Sequence, residues 1–372
     1  MIVQHLRGRL EGWLLRVWFG PAALTDRLLA ALLSPAALPL SWLVAFIARR
    51  RRQRIVRQVP GGAAVPVVVV GNLVAGGSGK TPLVVAIALG LADAGFRPGL
   101  LARGYRAKAG SPPGEAAIDA SARMVEAGAD AAAVGDEALL LALETGLPVA
   151  VGKDRRAAAE LLQRRHPDCN VIISDDGLQH VGLARAIELL VIDLRGFGNG
   201  RCLPAGPLRE PADRTDSVDA IVLTARTVPA AISAGNSNQP RVFRSALEMR
   251  RFRVLDGSAQ WLPEQFVQQF GGDTLPAIAG IAQPERFFAS LRTLGLQPHC
   301  HALPDHADLD ESWLAALPGR WILMTGKDAV KCRAFNASLL ARCVCLDVAA
   351  APDPALLKWL AARLHPAAHS NG

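Results

Sequence analysis

A β-branched run at 67–70 passes directly into GNLVAGGSGKTP, and this junction restricts the fold more than any other part of the chain. An apolar strand, a glycine-rich loop and an apolar helix in that order let backbone N–H groups converge on a phosphate, with the positive end of the helix aimed at it. Gly76, Gly77, Ser78 and Gly79 would form the cradle, Lys80 would reach the β- and γ-phosphates, and Thr81 would offer its hydroxyl to Mg²⁺. The strict spacing asks for glycine at position 74, where Val74 stands. A glycine-rich surface turn would share the composition but not the flanking strand and helix.

Length and charge narrow the class further. With 372 residues, 51% of them hydrophobic, the chain can bury a large core and reads as two domains. Six cysteines without zinc spacing suit a reducing compartment, and Cys343-Val344-Cys345 and His299-Cys300-His301 read as strand residues rather than ligands. The net charge of +8 is confined to residues 1–57, where ten arginines face only Glu11 and Asp26. The neutral body, whose single tyrosine is Tyr105, excludes a nucleic-acid-binding surface of the usual kind. The apolar run 28–48 ends at Arg49-Arg50-Arg51-Arg52 and is long enough to span a bilayer, yet Pro35 and Pro39 interrupt it. A helical hairpin or an interfacial segment is therefore expected, with the arginines on the cytoplasmic side. A buried core helix with a solvated arginine face is the alternative.

Beyond residue 66 short apolar strands alternate with helical segments, as a doubly wound, mostly parallel α/β sheet requires. Strands are expected at 67–70, 98–102, 148–151, 170–174, 187–192 and 220–224, with a helix at 83–91. Alternation across Asp256-Gly257-Ser258 predicts a β-hairpin connector. A smaller α/β domain follows, with strands at 277–281, 321–325 and 342–348, helices at 284–294 and 309–317, and a last helix at 354–364 before a frayed 366–372. The Ala-rich 119–134 reads as a plain helix or surface loop. The expected layout is a membrane-associated helical segment at 1–57, a P-loop domain at 58–235, a connector region at 236–275 and the smaller domain at 276–372.

Other motifs gain meaning beside the phosphate loop. Val171 to Asp176 is an apolar strand ending in two carboxylates, Asp175 and Asp176, with Gly177-Leu178-Gln179-His180 directly after it. An acid there suits a Mg²⁺-nucleotide at the carboxyl edge of a parallel sheet, although a strand-to-helix turn capped by Asp would look the same. Arg103-Gly104-Tyr105, Gly135-Asp136-Glu137 and Lys153-Asp154-Arg155 should fall on that edge, and 204–210 presents Arg209 and Glu210 together. Asp193, His5, His166 and His299 lack such company and read as structural or solvated. Thr325-Gly326-Lys327-Asp328 faintly resembles a guanine-reading loop, but its place after a late strand argues for structure.

GNLVAGGSGKTP, ARGYR, VGDEALLLA, KDRRAAA, ISDDGLQH, PAGPLREP, LPDH and MTGKDAVK, in this order behind an arginine-flanked apolar segment, closely resemble the tetraacyldisaccharide 4′-kinase family. Two positions depart from its usual pattern: Gly326 stands where Glu is common, and Ala307 where a second His is common. The resemblance implies ATP-dependent phosphorylation of the 4′-hydroxyl of a tetraacylated glucosamine disaccharide 1-phosphate at the cytoplasmic face of the bacterial inner membrane, among inner-membrane lipids and with no protein partner evident. It implies Asp136 as base supported by His306, with Lys80 and Arg209 on the phosphates. Thr81, Glu210, and Gln179 or Asp175 through water, would hold Mg²⁺, while Asp176, Tyr105 and Arg155 complete the site. The competing reading is a membrane-anchored P-loop NTPase, a switch or metallochaperone, that transfers phosphate only to water.

Overall fold

The computed structural model describes residues 12–20, 23–58, 65–77, 79–104, 122–224 and 240–365. Strands follow in the order β1 (Val67–Gly71), β2 (Pro98–Ala102), β3 (Ala122–Val125), β4 (Val149–Gly152), β5 (Val171–Asp175), β6 (Ile187–Ile192) and β7 (Ala220–Leu223). Then come β8 (Arg241–Val254), β9 (Gln260–Trp261), β10 (Leu275–Ala279), β11 (Pro298–Ala302), β12 (Ile322–Thr325) and β13 (Cys343–Pro352). The longer helices are α1 (Leu24–Arg52), α2 (Lys80–Asp93), α3 (Asp136–Thr145), α4 (Arg155–Arg165), α5 (Pro263–Phe270), α6 (Pro284–Thr293) and α7 (Pro354–Leu364). Two compact units result, neither continuous in sequence: Met1–Lys80, Asp176–Ser245 and Asp353–Gly372 in one, Thr81–Asp175 and Ala246–Pro352 in the other.

In the first unit β1, β6, β7 and the start of β8 lie side by side and parallel. β1, β6 and β7 are buried along their whole length, which is why they read as unbroken Val/Ile/Leu runs rather than alternating ones. The one acid in β6, Glu188, accepts from Arg185 and Arg214 and, at 2.9 Å, from Arg57. Removing one member of such a buried set strands the others, at a cost of about 3–5 kcal/mol. α7 caps this unit through Trp359, whose ring lies 5.6 Å from that of Phe243.

α1 corrects the expectation of a hairpin: a single 29-residue helix runs through Pro35 and Pro39. Proline removes the donor for the carbonyl four residues back, here that of Ala31. Ser34 Oγ replaces it at 2.7 Å, so the helix continues. Ser41 is the buried contact of α1, donating to the Cys202 carbonyl at 2.8 Å. Leu24, Leu28, Leu32, Trp42, Leu43 and Phe46 are exposed, and Ala30–Arg52 is long and apolar enough to cross a membrane. Arg49 and Arg52 pair with Asp213 at 2.8 and 3.1 Å, so part of the arginine cluster is answered within the protein.

In the second unit β5, β2 and β4 are parallel, and β3 joins β4 antiparallel at the edge. β3 overturns the reading of 119–134 as helix or loop: its described part is a strand followed by one helical turn, Ala131–Val134. Edge position explains the miss, since Arg123 and Met124 are only half-buried and the apolar alternation is weak. A further parallel set runs β11, β10, β12, β13. The predicted hairpin joins the far end of β8 to β9 across 255–259, with Ser258 N–H donating to Asp256 at 2.8 Å. Phe252 stacks on Phe266 at 4.1 Å between ring centres inside a core that includes Phe270, Phe288, Leu323 and Val344. His299, Cys300 and His301 lie in β11 and Cys343 and Cys345 in β13, as strand residues. Arg103, Lys153 and Asp175 stand at the carboxyl ends of β2, β4 and β5, the edge anticipated for them.

Candidate active site

In the first unit the chain leaves β1 through Asn72, a residue the motif reading passed over. Its amide donates to the Val74 carbonyl at 3.0 Å, and its oxygen accepts from Lys80 Nζ at 3.0 Å. The Ala75 N–H donates to the Pro207 carbonyl at 2.8 Å, and the Arg209 N–H to the Leu73 carbonyl at 2.7 Å. Val74 is thus extended, bridged to Leu208 and buried, and needs no glycine. Left-handed backbone is needed instead at Gly76 and Gly79, with φ of 89° and 68°. Ser78 lies outside the described residues. Arg195 holds the Gly77 carbonyl at 2.8 Å while gripping Asp193 at 2.8 Å, so Asp193, expected to stand apart, supports the loop through its neighbour.

The turn after β5 supplies the acid. Asp176 contacts Lys80 Nζ at 3.1 Å and Arg209 Nη1 at 2.9 Å. Burial pushes its carboxyl up, but Lys80 and Arg209 together outweigh that and hold it well below the usual carboxylate range. Gln179 Oε1 accepts from Arg209 at 3.4 Å, and its amide donates to Glu210 Oε1 at 2.8 Å and to the Asn72 carbonyl at 3.3 Å. Glu210 is buried, and burial raises its carboxyl despite Gln179 and Arg214, the latter 3.4 Å away. The carboxylate of Glu210 and the amide oxygen of Gln179 are hard oxygen donors of the kind Mg²⁺ takes.

The second unit holds a separate cluster. Gly135, at φ 94°, starts α3 so that Asp136 is its first residue, and the side chain of Asp136 is buried. His306 Nδ1 lies 3.0 and 2.9 Å from its two oxygens, although 170 residues separate the pair in sequence. Burial raises the Asp136 carboxyl, but the His306 hydrogen bond and the charges of Lys327 and Lys331 prevail and lower it. Lys327 Nζ reaches Glu137 at 3.0 Å, Asp305 at 3.1 Å and His306 Nε2 at 3.2 Å. Burial disfavours its charge, yet Glu137, Asp136 and Asp305 keep it firmly protonated. Beneath it Asp328 is fully buried, accepting from the Gly280 N–H at 3.0 Å, Thr325 Oγ1 at 2.7 Å and Lys331 at 3.0 Å. The 325–328 turn, expected to be purely structural, therefore carries a lysine onto the Asp136–His306 pair. The segment stands out in the sequence as MTGKDAVK, but two lysines and an acid after an apolar strand are too common a pattern to give Lys327 a role.

Arg155 and Asp175 are also buried in this unit, with Arg155 Nη2 donating to the Asp175 carbonyl at 2.7 Å. Thr81 is the second residue of α2, at the end that follows the loop. Tyr105 lies outside the described residues. Among the described residues only Asp176 and His306 combine a side chain with positive φ, 50° and 58°. Such backbone costs about 1–3 kcal/mol and persists where the surroundings over-determine it, often at functional sites.

A glycine-rich strand–loop–helix with its lysine held against an acid defines a P-loop nucleotide-binding protein, and a buried carboxylate–imidazole pair is the equipment of a group-transfer enzyme. The family described as Tetraacyldisaccharide-1-P 4′-kinase matches residues 33–365, and the chain belongs to it. It is 43% identical over 92% of its length to a tetraacyldisaccharide 4′-kinase of Bordetella petrii, covering 94% of that protein. It is 45% identical over 86% of its length to one of Aromatoleum aromaticum, covering 90%. Among solved structures it resembles LpxK of Aquifex aeolicus, crystallised in complex with ATP, at a TM-score of 0.70 and 26% identity, with 91% of this chain and all of that one covered.

Proposed function

We infer that this chain transfers the γ-phosphoryl group of ATP to the 4′-hydroxyl of a tetraacylated glucosamine disaccharide 1-phosphate, a step of lipid A biosynthesis. The observation that carries this reading is the Asp136–His306 pair at 2.9 Å. A sugar hydroxyl is a weak nucleophile whose proton must be accepted, and a buried carboxylate oriented by an imidazole suits that task.

In this reading Lys80 and Arg209 leave Asp176 for the phosphates and offset charge that grows during transfer. Asp136 takes the hydroxyl proton, and His306 holds its two oxygens in place. Thr81, Glu210, and Gln179 or Asp175 through water, would hold Mg²⁺, which would neutralise phosphate charge when bound. Asp176, Tyr105 and Arg155 complete the site. The working domain layout remains 1–57, 58–235, 236–275 and 276–372. The exposed apolar face of α1 supports a place at the cytoplasmic face of the inner membrane, where an acceptor with four acyl chains resides. The test is ATP consumption by purified protein with and without the lipid disaccharide acceptor. Stoichiometric lipid phosphorylation is expected, whereas hydrolysis indifferent to the acceptor would favour the switch.

A further inference from the structure

We propose that Lys327 is a positioning residue for this reaction, fixing His306 as the neutral tautomer that carries its proton on Nδ1 and presents it to Asp136. The inference rests on the reading of Asp136 as base. An ammonium group has donors only, so His306 Nε2, 3.2 Å from Lys327 Nζ, can only accept. The ring proton then sits on Nδ1, within 3.0 Å of both Asp136 oxygens. Glu137 and Asp305 take the other two donors of Lys327 and keep the ammonium where it is.

Without that lysine the neighbourhood would choose differently. Asp305 Oδ2 lies 3.7 Å from Nε2 and would draw a proton there. Two outcomes follow, both unhelpful. A proton on Nε2 alone turns the Nδ1 lone pair toward the Asp136 carboxylate, which repels it and frees it to rotate. A proton on each nitrogen bridges Asp136 and Asp305 with an imidazolium and weakens the base. Among the described residues the charged groups around the ring include Asp136 and Glu137 on α3, Asp305 next to it in sequence, and Lys327 and Lys331 after β12, the last 3.9 Å from Asp136 and paired with Asp328. The main chain under the ring is held, because the His306 backbone N–H donates to the Gly280 carbonyl at 3.2 Å, so only the side-chain torsions respond to the tautomer. Wrong-tautomer variants of other carboxylate–imidazole sites lose up to about 10⁴-fold in turnover.

The experiment compares intact protein with Lys327→Met, Lys327→Arg and Asp136→Ala, reading imidazole ¹⁵N shifts, thermal midpoints and the pH dependence of kcat. Intact protein should show His306 with its proton on Nδ1 alone. Lys327→Met should shift that signal toward Nε2–H or imidazolium and lower kcat about 10- to 100-fold, with KM for ATP within about twofold. Its pH profile should gain an acid-side fall, and Lys327→Arg, which keeps a charged donor, should recover part of kcat. An Nε2–H or doubly protonated ring in the intact protein overturns the proposal without any variant. So does Lys327→Met with unchanged ring signals and kcat, provided Asp136→Ala is inactive. A fully active Asp136→Ala would instead overturn the base assignment, and this proposal with it.

Discussion

Two aspartates, Asp136 buried and Asp176 half-buried, are each answered by cations, and in the proposed reading they do opposite work. Asp176 faces Lys80 and Arg209, and in the proposed reading it is a placeholder that keeps both aimed at one spot. Asp136 faces one titratable partner, His306, backed by Lys327 and Lys331, and it keeps an orientation rather than a charge balance. The lesson is that a carboxylate's role follows from what its partners can do next. In the proposed reading phosphate oxygens replace Asp176 on its cations, whereas His306 stays on Asp136.

Removing a phosphate cation should cost most. Lys80→Ala should lower kcat/KM by about 10³-fold or more, roughly 4 kcal/mol of transition-state stabilisation, with kcat falling as well as KM rising. Asp176→Asn, which merely releases the cations, should cost far less. Near-equal losses in steady-state assays would mean that Asp176 is more than a placeholder and would break the contrast.

The second cluster gives the next largest effect. Asp136→Ala and His306→Ala should each lower kcat by about 10²-fold or more, and the double variant should be little worse than the poorer single one. Additive losses would show two independent roles. Because the folded Asp136 carboxyl is lowered, it stays ionised below the ordinary range near 3.9, and the stability it contributes is present above that value and lost only as pH falls through the lowered one. The acid limb of kcat/KM should accordingly lie below the usual carboxylate range. A limb near neutrality would mark the imidazole, not Asp136, as the group that must lose a proton.

The two clusters also differ in how far the sequence reveals them. Lys80, Thr81 and the glycines form one contiguous string, so their chemistry can be read in order, and the apolar strands around them announce a parallel sheet because both faces are buried. Asp136, His306 and Lys327 come from places up to 191 residues apart, and nothing in local composition ties them together. Only the family resemblance joined Asp136 to His306, and it left Lys327 out. Asn72 and Arg195 were missed for a related reason: they act through backbone carbonyls and a lysine, contacts that no spacing rule encodes. At α1 the signal was read correctly and outvoted locally, since Ser34 supplies the donor that Pro35 lacks.

The contrast between cations answered by protein acids and cations left for a ligand recurs on α1. Arg49 is paired with Asp213, whereas Arg50 stacks over Phe46 at 5.2 Å and Arg54 is exposed. Arg50→Gln and Arg54→Gln should each weaken binding to anionic vesicles by about 1 kcal/mol at low salt, and Arg49→Gln by less. Co-sedimentation against salt reads this directly. Equal effects from all three would mean that Asp213 releases its arginines at the membrane.

The smallest effect concerns a third acid, on the same helix as Asp136 but with a different answer. Glu144 lies two turns along α3 with its side chain partly open to solvent, yet desolvation of the carboxyl by its surroundings, helped by repulsion from Asp347 and only partly offset by Arg253, pushes it up to about 7. Its folded value therefore exceeds its unfolded one near 4.3, so the stability conferred by the neutral form is complete below that value and is lost as pH rises through about 7. Glu144→Gln keeps the neutral form at every pH. It should match the parent at pH 4 and be more stable at pH 8, by less than about 1 kcal/mol because solvent reaches part of the side chain and screens the charge. Thermal midpoints at the two pH values separate the cases. If Glu144→Gln is instead the less stable form at pH 8, the arginines lining its cavity, Arg250, Arg251, Arg253 and Arg333, hold it as they would a substrate anion. Glu144 would then belong with Asp176, as an acid set to be displaced.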